Sequence, residues 1–488
     1  MRSNYAKFLL LLLLPACFSY AFAQKDKKYM AQVRLNGKCG FIDASGNEVV
    51  PLVYDDAGLW NNNLVPVNIG KYTPKSYPVV EMSTAQSENV NVEVIDNSEK
   101  AGKWGFCNTA GKLVIAVQFT NVSFFNEGMA GVEVNDKWGF INTSGKMVVE
   151  AVYDTVGYFS QGLAVVAKNG SYGYVNLKGE EVIRLQYLGA EAFEKGLAKV
   201  FEKYDSKKSD KKSIGRLINQ QGKMVTDAKY DIESNFGNGL ASFSFAEAKA
   251  EDSFTYGLIT TTGQVVAPPT YKEISAFSNG LALVMVYKIH EFYNEYVPHY
   301  GYIDSKGKEV VKPILAKGVD FGYGMAPVAR FDSKDDGQSE YALINTKGEQ
   351  LLGFNWNSLD ILDSKHLLAS SIKNPYEKVI IDTKGKQILA LGDNGFASLG
   401  NGLFFVKNVD YEPIAFIGLD KKPLIDLSKN KKTRFISYQH GLLRFGDLDG
   451  DYNEVSAIKV GLMDLKGTVV VKPKYNEIFD FEATDNSL

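Results

Sequence analysis

Lys137-Trp138-Gly139-Phe140-Ile141-Asn142-Thr143-Ser144-Gly145-Lys146, then Met147-Val148-Val149, Tyr153-Asp154 and Phe159-Ser160-Gln161-Gly162-Leu163-Ala164-Val165, is the stretch that decides the fold. Short β-rich runs at 138–142, 147–149 and 163–167 alternate with the turn signals Thr143-Ser144-Gly145-Lys146, Ser160-Gln161-Gly162 and Lys168-Asn169-Gly170. Glycine supplies the positive φ of a tight turn, and Asn-Gly between apolar runs is a strong hairpin signal. The pattern predicts three strands joined by tight turns, with helix limited to short one-turn pieces near 153–158.

The same order begins at Lys103, where Trp104-Gly105-Phe106 leads to Gly111, Phe125 and Gly128-Met129-Ala130. It returns at Tyr172-Gly173-Tyr174, with Gly179, Tyr187, Phe193 and Gly196-Leu197-Ala198, so that Gly105, Gly139 and Gly173 are spaced by 34 residues. Weaker copies are anchored at Gly40, with Cys39 in the tryptophan position, and at Gly257, Gly301 and Gly461. Arg216, Ala342, Val379 and Gly418 mark degenerate ones. Self-similarity at a fixed period marks a repeat architecture. Ten or eleven three-stranded units of about 34–44 residues fill 24–488 in one all-β array, most regular at 103–200 and degenerate from about 341.

A ring beside glycine can lie across closely approaching backbone, because glycine has no Cβ in the way. Tyr153 and Phe159 are spaced to pack on that ring or on its copy in the next unit, and stacked units bury what one unit cannot. At the ends, Met30-Ala31-Gln32-Val33-Arg34-Leu35-Asn36 matches Met129-Ala130-Gly131-Val132-Glu133-Val134-Asn135, whereas the last unit stops after Phe481 without that strand. The first segment therefore either completes the last unit in a closed ring or caps an open array. Ten units exceed the usual four to eight propeller blades, which favours an open or superhelical solenoid over one or two closed rings.

The Lys-Trp-Gly-Phe motifs at 103–106 and 137–140, with the downstream Gly-Lys, paired valines, Tyr-Asp and Phe-x-x-Gly-Leu/Met-Ala, resemble the WG-repeat family, also called KWG repeats. The resemblance spans about 29–480. It implies a binding or scaffolding module of the kind common in bacterial secreted or surface proteins. It supplies no catalytic residues.

Arg2 and Lys7, the apolar run from Phe8 to Leu14, and Ala21-Phe22-Ala23 form a signal peptide over 1–23, with Gln24 as the expected mature start in the periplasm or outside the cell. Leu14-Pro15-Ala16-Cys17 is the rival site, at which Cys17 would carry a lipid anchor. In the mature chain no apolar run is long enough to span a bilayer. Of the cysteines left, Cys39 and Cys107 read as two buried apolar thiols, with a disulfide as the alternative. Neither they nor His290, His299, His366 and His440 form a metal-ligand spacing.

Lysine and arginine number 54 against 57 acidic residues, a net of −3; without Arg2 and Lys7 this is 52 against 57, or −5. That balance disfavours nucleic acid as a partner. The lysines at 207, 208, 211 and 212 read as a solvated loop, Asp447-Leu448-Asp449-Gly450-Asp451 as an exposed loop rather than a calcium site, Asn61-Asn62-Asn63 and 83–99 as loop, and 355–368 as holding a short helix. No nucleophile elbow, zinc motif or phosphate loop occurs, and Asp154 and Asp231 beside the repeat tyrosine suit a turn or capping role. The sequence thus predicts an exported non-catalytic binder or scaffold with no cofactor. It would contact a protein or glycan of the cell envelope through the longer connections at 67–100, 205–213, 287–299 and 332–340. A structural envelope component is the alternative, and a carbohydrate hydrolase the remoter one.

Overall fold

The computed structural model describes residues 28–70, 102–204, 211–235, 239–247, 255–290, 295–331, 340–390, 395–400, 403–407, 413–418, 423–426, 433–447 and 459–485. Among them the chain forms ten antiparallel sheets in tandem: eight of four strands, one of three and one of seven. No sheet closes on itself into a barrel, and no described residue is helical.

The unit around Lys137 shows the plan. Its strands are Asn121–Val122, Met129–Val134, Lys137–Asn142 and Met147–Tyr153, each paired with the next. The expected three strands are therefore four. The extra one follows Tyr-Asp, and in several units it is two residues long, too short to leave a periodic signal. The helical piece expected at 153–158 is instead the end of Met147–Tyr153 and the start of the strand Thr155–Ser160. Likewise the helix expected within 355–368 is strand. Gln350–Ile361 is the fourth strand of one unit and the first of the next, which gives the seven-stranded sheet.

Two kinds of turn hold each unit. In the Asn142–Gly145 turn, Asn142 Oδ1 accepts the Ser144 and Lys146 N–H groups at 3.1 and 3.0 Å, while Gly145 takes φ of 80°. Asp43, Asn108, Asn176, Asn219, Asp304, Asn345, Asp382 and Asp464 repeat that pattern, an Asx turn. The turn between first and second strands has positive φ at two residues, as at Glu127-Gly128 (49° and 77°) and Gln161-Gly162 (54° and 82°). Here the side chain of one turn serves its neighbour. Asn62 Oδ1 accepts Gly128 N–H, Glu127 accepts both Gln161 and Gly162 N–H, and Gln161 Oε1 accepts Gly196 N–H.

Apolar clusters lie between successive sheets, as with Met129, Phe140, Val149, Tyr153, Phe159, Ala164, Val166 and Val175. A cluster of the same kind joins the last unit to the first: Ala31, Val33, Ile42, Val460, Leu462, Val471, Tyr475, Ile478 and Phe481. There Tyr29–Leu35 pairs with Lys38–Asp43 on one side and with Glu477–Ala483 on the other. A Cβ on Gly46 would meet Val471 of the last unit at 2.5 Å, much as one on Gly145 would meet Ile115 of the preceding unit at 3.2 Å. The sheets are separate open ribbons in tandem, as expected. Where the two ends meet, the arrangement is the one the ring alternative required, with the N-terminal segment completing the last unit.

Candidate functional site

The repeat anchors are sites of close backbone approach. A Cβ on Gly139 would lie 2.3 Å from the Val149 carbonyl oxygen. The corresponding distances are 2.4 Å for Gly40, 2.5 Å for Gly105, 2.5 Å for Gly173, 2.4 Å for Gly257, 2.5 Å for Gly301 and 2.4 Å for Gly461, each to a carbonyl of the fourth strand. That strand bulges over the glycine, so its register slips between Trp138 and Phe140. Where Val379 takes the anchor place this slip is absent, since Val379 and Ile380 pair in regular succession with Ala390 and Leu389.

The aromatic contacts differ from expectation. Trp104 is buried, but Trp138 and Tyr172 are only half-buried. The ring that packs on Phe159 is Phe140, after the glycine, with centroids 4.7 Å apart. Phe41–Trp60, Phe106–Phe125, Tyr174–Phe193 and Tyr302–Phe321 repeat the pair at 5.3, 4.8, 4.8 and 5.0 Å, each spanning neighbouring units. The interval from 140 to 159 is kept in all five, and that constancy was the signal available in the sequence. The remaining polar members of the motif pair with each other. Lys137 Nζ donates to Asp154 at 2.5 Å and Lys38 Nζ to Asp55 at 2.6 Å, while the second oxygen of Asp154 accepts Asn169 N–H. Lys137, and then the Asn169 N–H, hold the Asp154 carboxyl below its ordinary range.

Two degenerate anchors depart from the expected pattern. Arg216 has the register of an anchor, opposite Val200, but the close approach has moved to Gly215, whose Cβ would meet Ile232 O at 2.4 Å. The Arg216 side chain is buried, binding Glu202 at 3.1 Å and the Thr226 carbonyl, and this sheet has three strands instead of four. Gly418 is not an anchor. It pairs with Leu403 at a strand end, and Ala415, opposite Val406, holds the anchor register. Cys39 and Cys107 are both free and buried in one cluster. The Cys107 sulfur lies 3.2 Å from Tyr54 Oη, and burial pushes the Cys39 thiol up to about 11.

These contacts hold the frame, and the connections between strands lie outside them. In an antiparallel meander every second-to-third connection leaves the same end of its sheet, opposite the two turns described above. Asn36-Gly37, Asn135-Asp136 and Asn169-Gly170 are the short ones. The connections singled out at 67–100, 205–213 and 332–340, and the Asp447–Asp451 loop, occupy equivalent positions; their residues 71–101, 205–210, 332–339 and 448–458 lie outside the described residues.

One member of this end is a protruding ribbon. Leu281–His290 and Glu295–Asp304 run four pairs past the point where Lys168–Ser171 turns: Tyr287–Pro298, Lys288–Val297, Ile289–Tyr296 and His290–Glu295. Directly paired residues project to the same face, so Tyr287, Ile289, Tyr296 and Pro298 form one apolar face. Tyr287 is 49%, Ile289 53% and Tyr296 71% exposed. Tyr376, 92% exposed, stands near the tip of the hairpin between His366–Ser371 and Asn374–Asp382, at the same end of its own sheet. Among the described residues, no three His, Cys, Asp or Glu side chains gather in a metal-holding group, and no helix is long and apolar enough to cross a membrane.

A family model described as "WG containing repeat" matches residues 40–72, 104–138, 138–172, 172–203, 216–245, 256–288, 300–330 and 461–483. No curated protein matches the sequence. Solved structures similar to the chain include a eukaryotic initiation factor, at 11% identity over 74% of this chain and 95% of that one, with a TM-score of 0.35. AztD of Citrobacter koseri matches at 12% identity over 93% and 96%, TM-score 0.26. The β-propeller domain of the Trilobed protease of Pyrococcus furiosus matches at 10% identity over 60% and 96%, TM-score 0.28.

Proposed function

The chain belongs to the family of WG containing repeats, and from that premise we propose that it is an exported, non-catalytic scaffold that holds a protein or glycan of the cell envelope on the connection-bearing end of its sheets. The observation that carries this is the contrast between the two ends. One is built from near-identical turns bound to one another through Asn62, Glu127 and Gln161. The other collects connections of unequal length and the exposed ribbon with Tyr287, Ile289 and Tyr296. Rigidly mounted tyrosines offer large contact area with little conformational entropy to lose, the composition that recognition loops favour. Insertions gathered on one face of a repeat array commonly form its binding surface.

The test is affinity capture from an envelope extract with the mature chain, repeated after residues 287–298 are cut back to an Asn-Gly hairpin. Loss of the captured partner with the frame still folded is the expected result. Retention of the same partner would remove the ribbon from the surface, and reproducible hydrolysis of a glycan or peptide by the purified chain would end the non-catalytic assignment.

A further inference from the structure

The three-stranded sheet is the unit in which the fourth strand is reduced to a single bridge, Ile218 with Met224, and its Lys211 is the one lysine among the described ion pairs that faces two carboxylates. Lys211 Nζ lies 2.5 Å from Asp231 Oδ2 and 3.9 Å from Glu233 Oε1. The side chains of Lys211 and Asp231 are 19% and 11% exposed. Asp231 Oδ1 accepts the Gly215 N–H at 2.7 Å, and Glu233 Oε1 is held by Ser244 Oγ at 3.0 Å. One amine thus faces two carboxylates, the first polarised by a backbone donor and the second fixed beside it.

We propose that Lys211 and Asp231 condense into an intramolecular amide that staples this unit. The step begins with transfer of one proton from Lys211 Nζ to Asp231 Oδ2, 2.5 Å away, which leaves an amine as nucleophile and a hydroxyl to depart. Nζ attacks Cγ, forming the C–N bond, while the Gly215 N–H stabilises the negative charge that develops on Oδ1. The Glu233 carboxylate takes the proton from nitrogen and returns it to the departing hydroxyl; the C–O bond breaks and one water leaves. Nothing is oxidised or reduced, and no co-reactant is required. The cross-link would tie Lys211, just ahead of the strand Ser213–Asn219, to the strand Tyr230–Asn235 of the next sheet. Elsewhere the repeat aspartate meets a lysine two residues before the anchor, a place that Ile214 fills here, and the contact is an ordinary ion pair. Lys38–Asp55 and Lys137–Asp154 are more exposed, at 44%/22% and 48%/39%, and each of these lysines meets a single carboxylate.

Intact mass of the purified full chain, followed by peptide mapping, tests this directly. The expected chain is lighter than its sequence by one water, with a branched peptide joining Lys211 to Asp231 and with Lys38 and Lys137 in linear peptides. Lys211→Arg and Glu233→Gln should restore the full sequence mass, while Asp231→Asn, which keeps an electrophilic carbonyl, should lose ammonia instead. A wild-type chain at full sequence mass overturns the proposal, and so does a water loss that persists in Lys211→Arg.

Discussion

At the residue scale, stability rests on two positions that are adjacent in sequence and different in kind. Gly139 matters for what it lacks, because a methyl there would sit 2.3 Å from Val149 O. Gly139→Ala should cost about 1–3 kcal/mol, as overpacking does, measured by urea denaturation. Phe140 matters for what it fills. Phe140→Ala should cost about 3–5 kcal/mol, and Trp138→Ala, half-exposed, distinctly less; equal losses would mean that the tryptophan shares the inter-unit core. Charge adds a pH dependence of two signs. Asp154 is depressed by Lys137 and Asn169, so its contribution is complete above the unfolded carboxyl value and is lost as pH falls through the lower folded one. Burial instead raises Glu482, where the last strand meets the first sheet, so its contribution is present at low pH and is lost as pH rises through the folded value. Glu482→Gln should therefore flatten the fall in stability from mildly acidic to neutral pH, and Asp154→Asn the loss in stronger acid. Melting temperatures across the pH range check both.

At the scale of the strand and its turns, the hairpins and the glycine rhythm were legible in the sequence because they depend on φ, which residue type reveals. Asn169-Gly170 forms the predicted turn with φ of 52° and 75°, and Asn135-Asp136 does the same with 52° and 60° although its second residue is aspartate. Relieving that positive φ with Asp136→Gly should raise stability by up to about 1 kcal/mol, read in the same denaturation series. The fourth strand was not legible, since two residues such as Asn121-Val122 carry no alternation and become strand only when their neighbours pair with them. Arg216 reads as a broken anchor, but the shift of the close approach to Gly215 and the reduction of the fourth strand to one bridge depend on the partner backbone. The candidate surface was half legible. The longer connections stood out by length, whereas the exposed face of Tyr287, Ile289 and Tyr296 depends on cross-strand register, which length does not specify.

For the whole molecule the decisive contact is between its ends. Tyr29–Leu35 takes Glu477–Ala483 as a neighbour, Thr484 bonds to both Lys28 and Asn63, and Arg34 meets Asp56 at 2.6 Å and Glu477 at 3.8 Å. A chain ending at Asn476 should thus lose more than one strand's worth of stability, because it uncovers the first sheet's edge and the cluster around Phe481. Two denaturation transitions in place of one, or a marked rise in self-association, would report it. That pairing also has a direction. Tyr29 lies opposite Ala483 and Arg34 opposite Glu477, so the outer ends of these two strands, at Tyr29 and Ala483, lie side by side in an antiparallel pair. A force applied to those ends would load the hydrogen bonds one after another, as in a zipper, instead of all together in shear. Heat and denaturant act on the whole buried core, whereas tension between these two strands meets one backbone bond at a time, so the closure should open under a smaller pull than a sheared sheet of the same length.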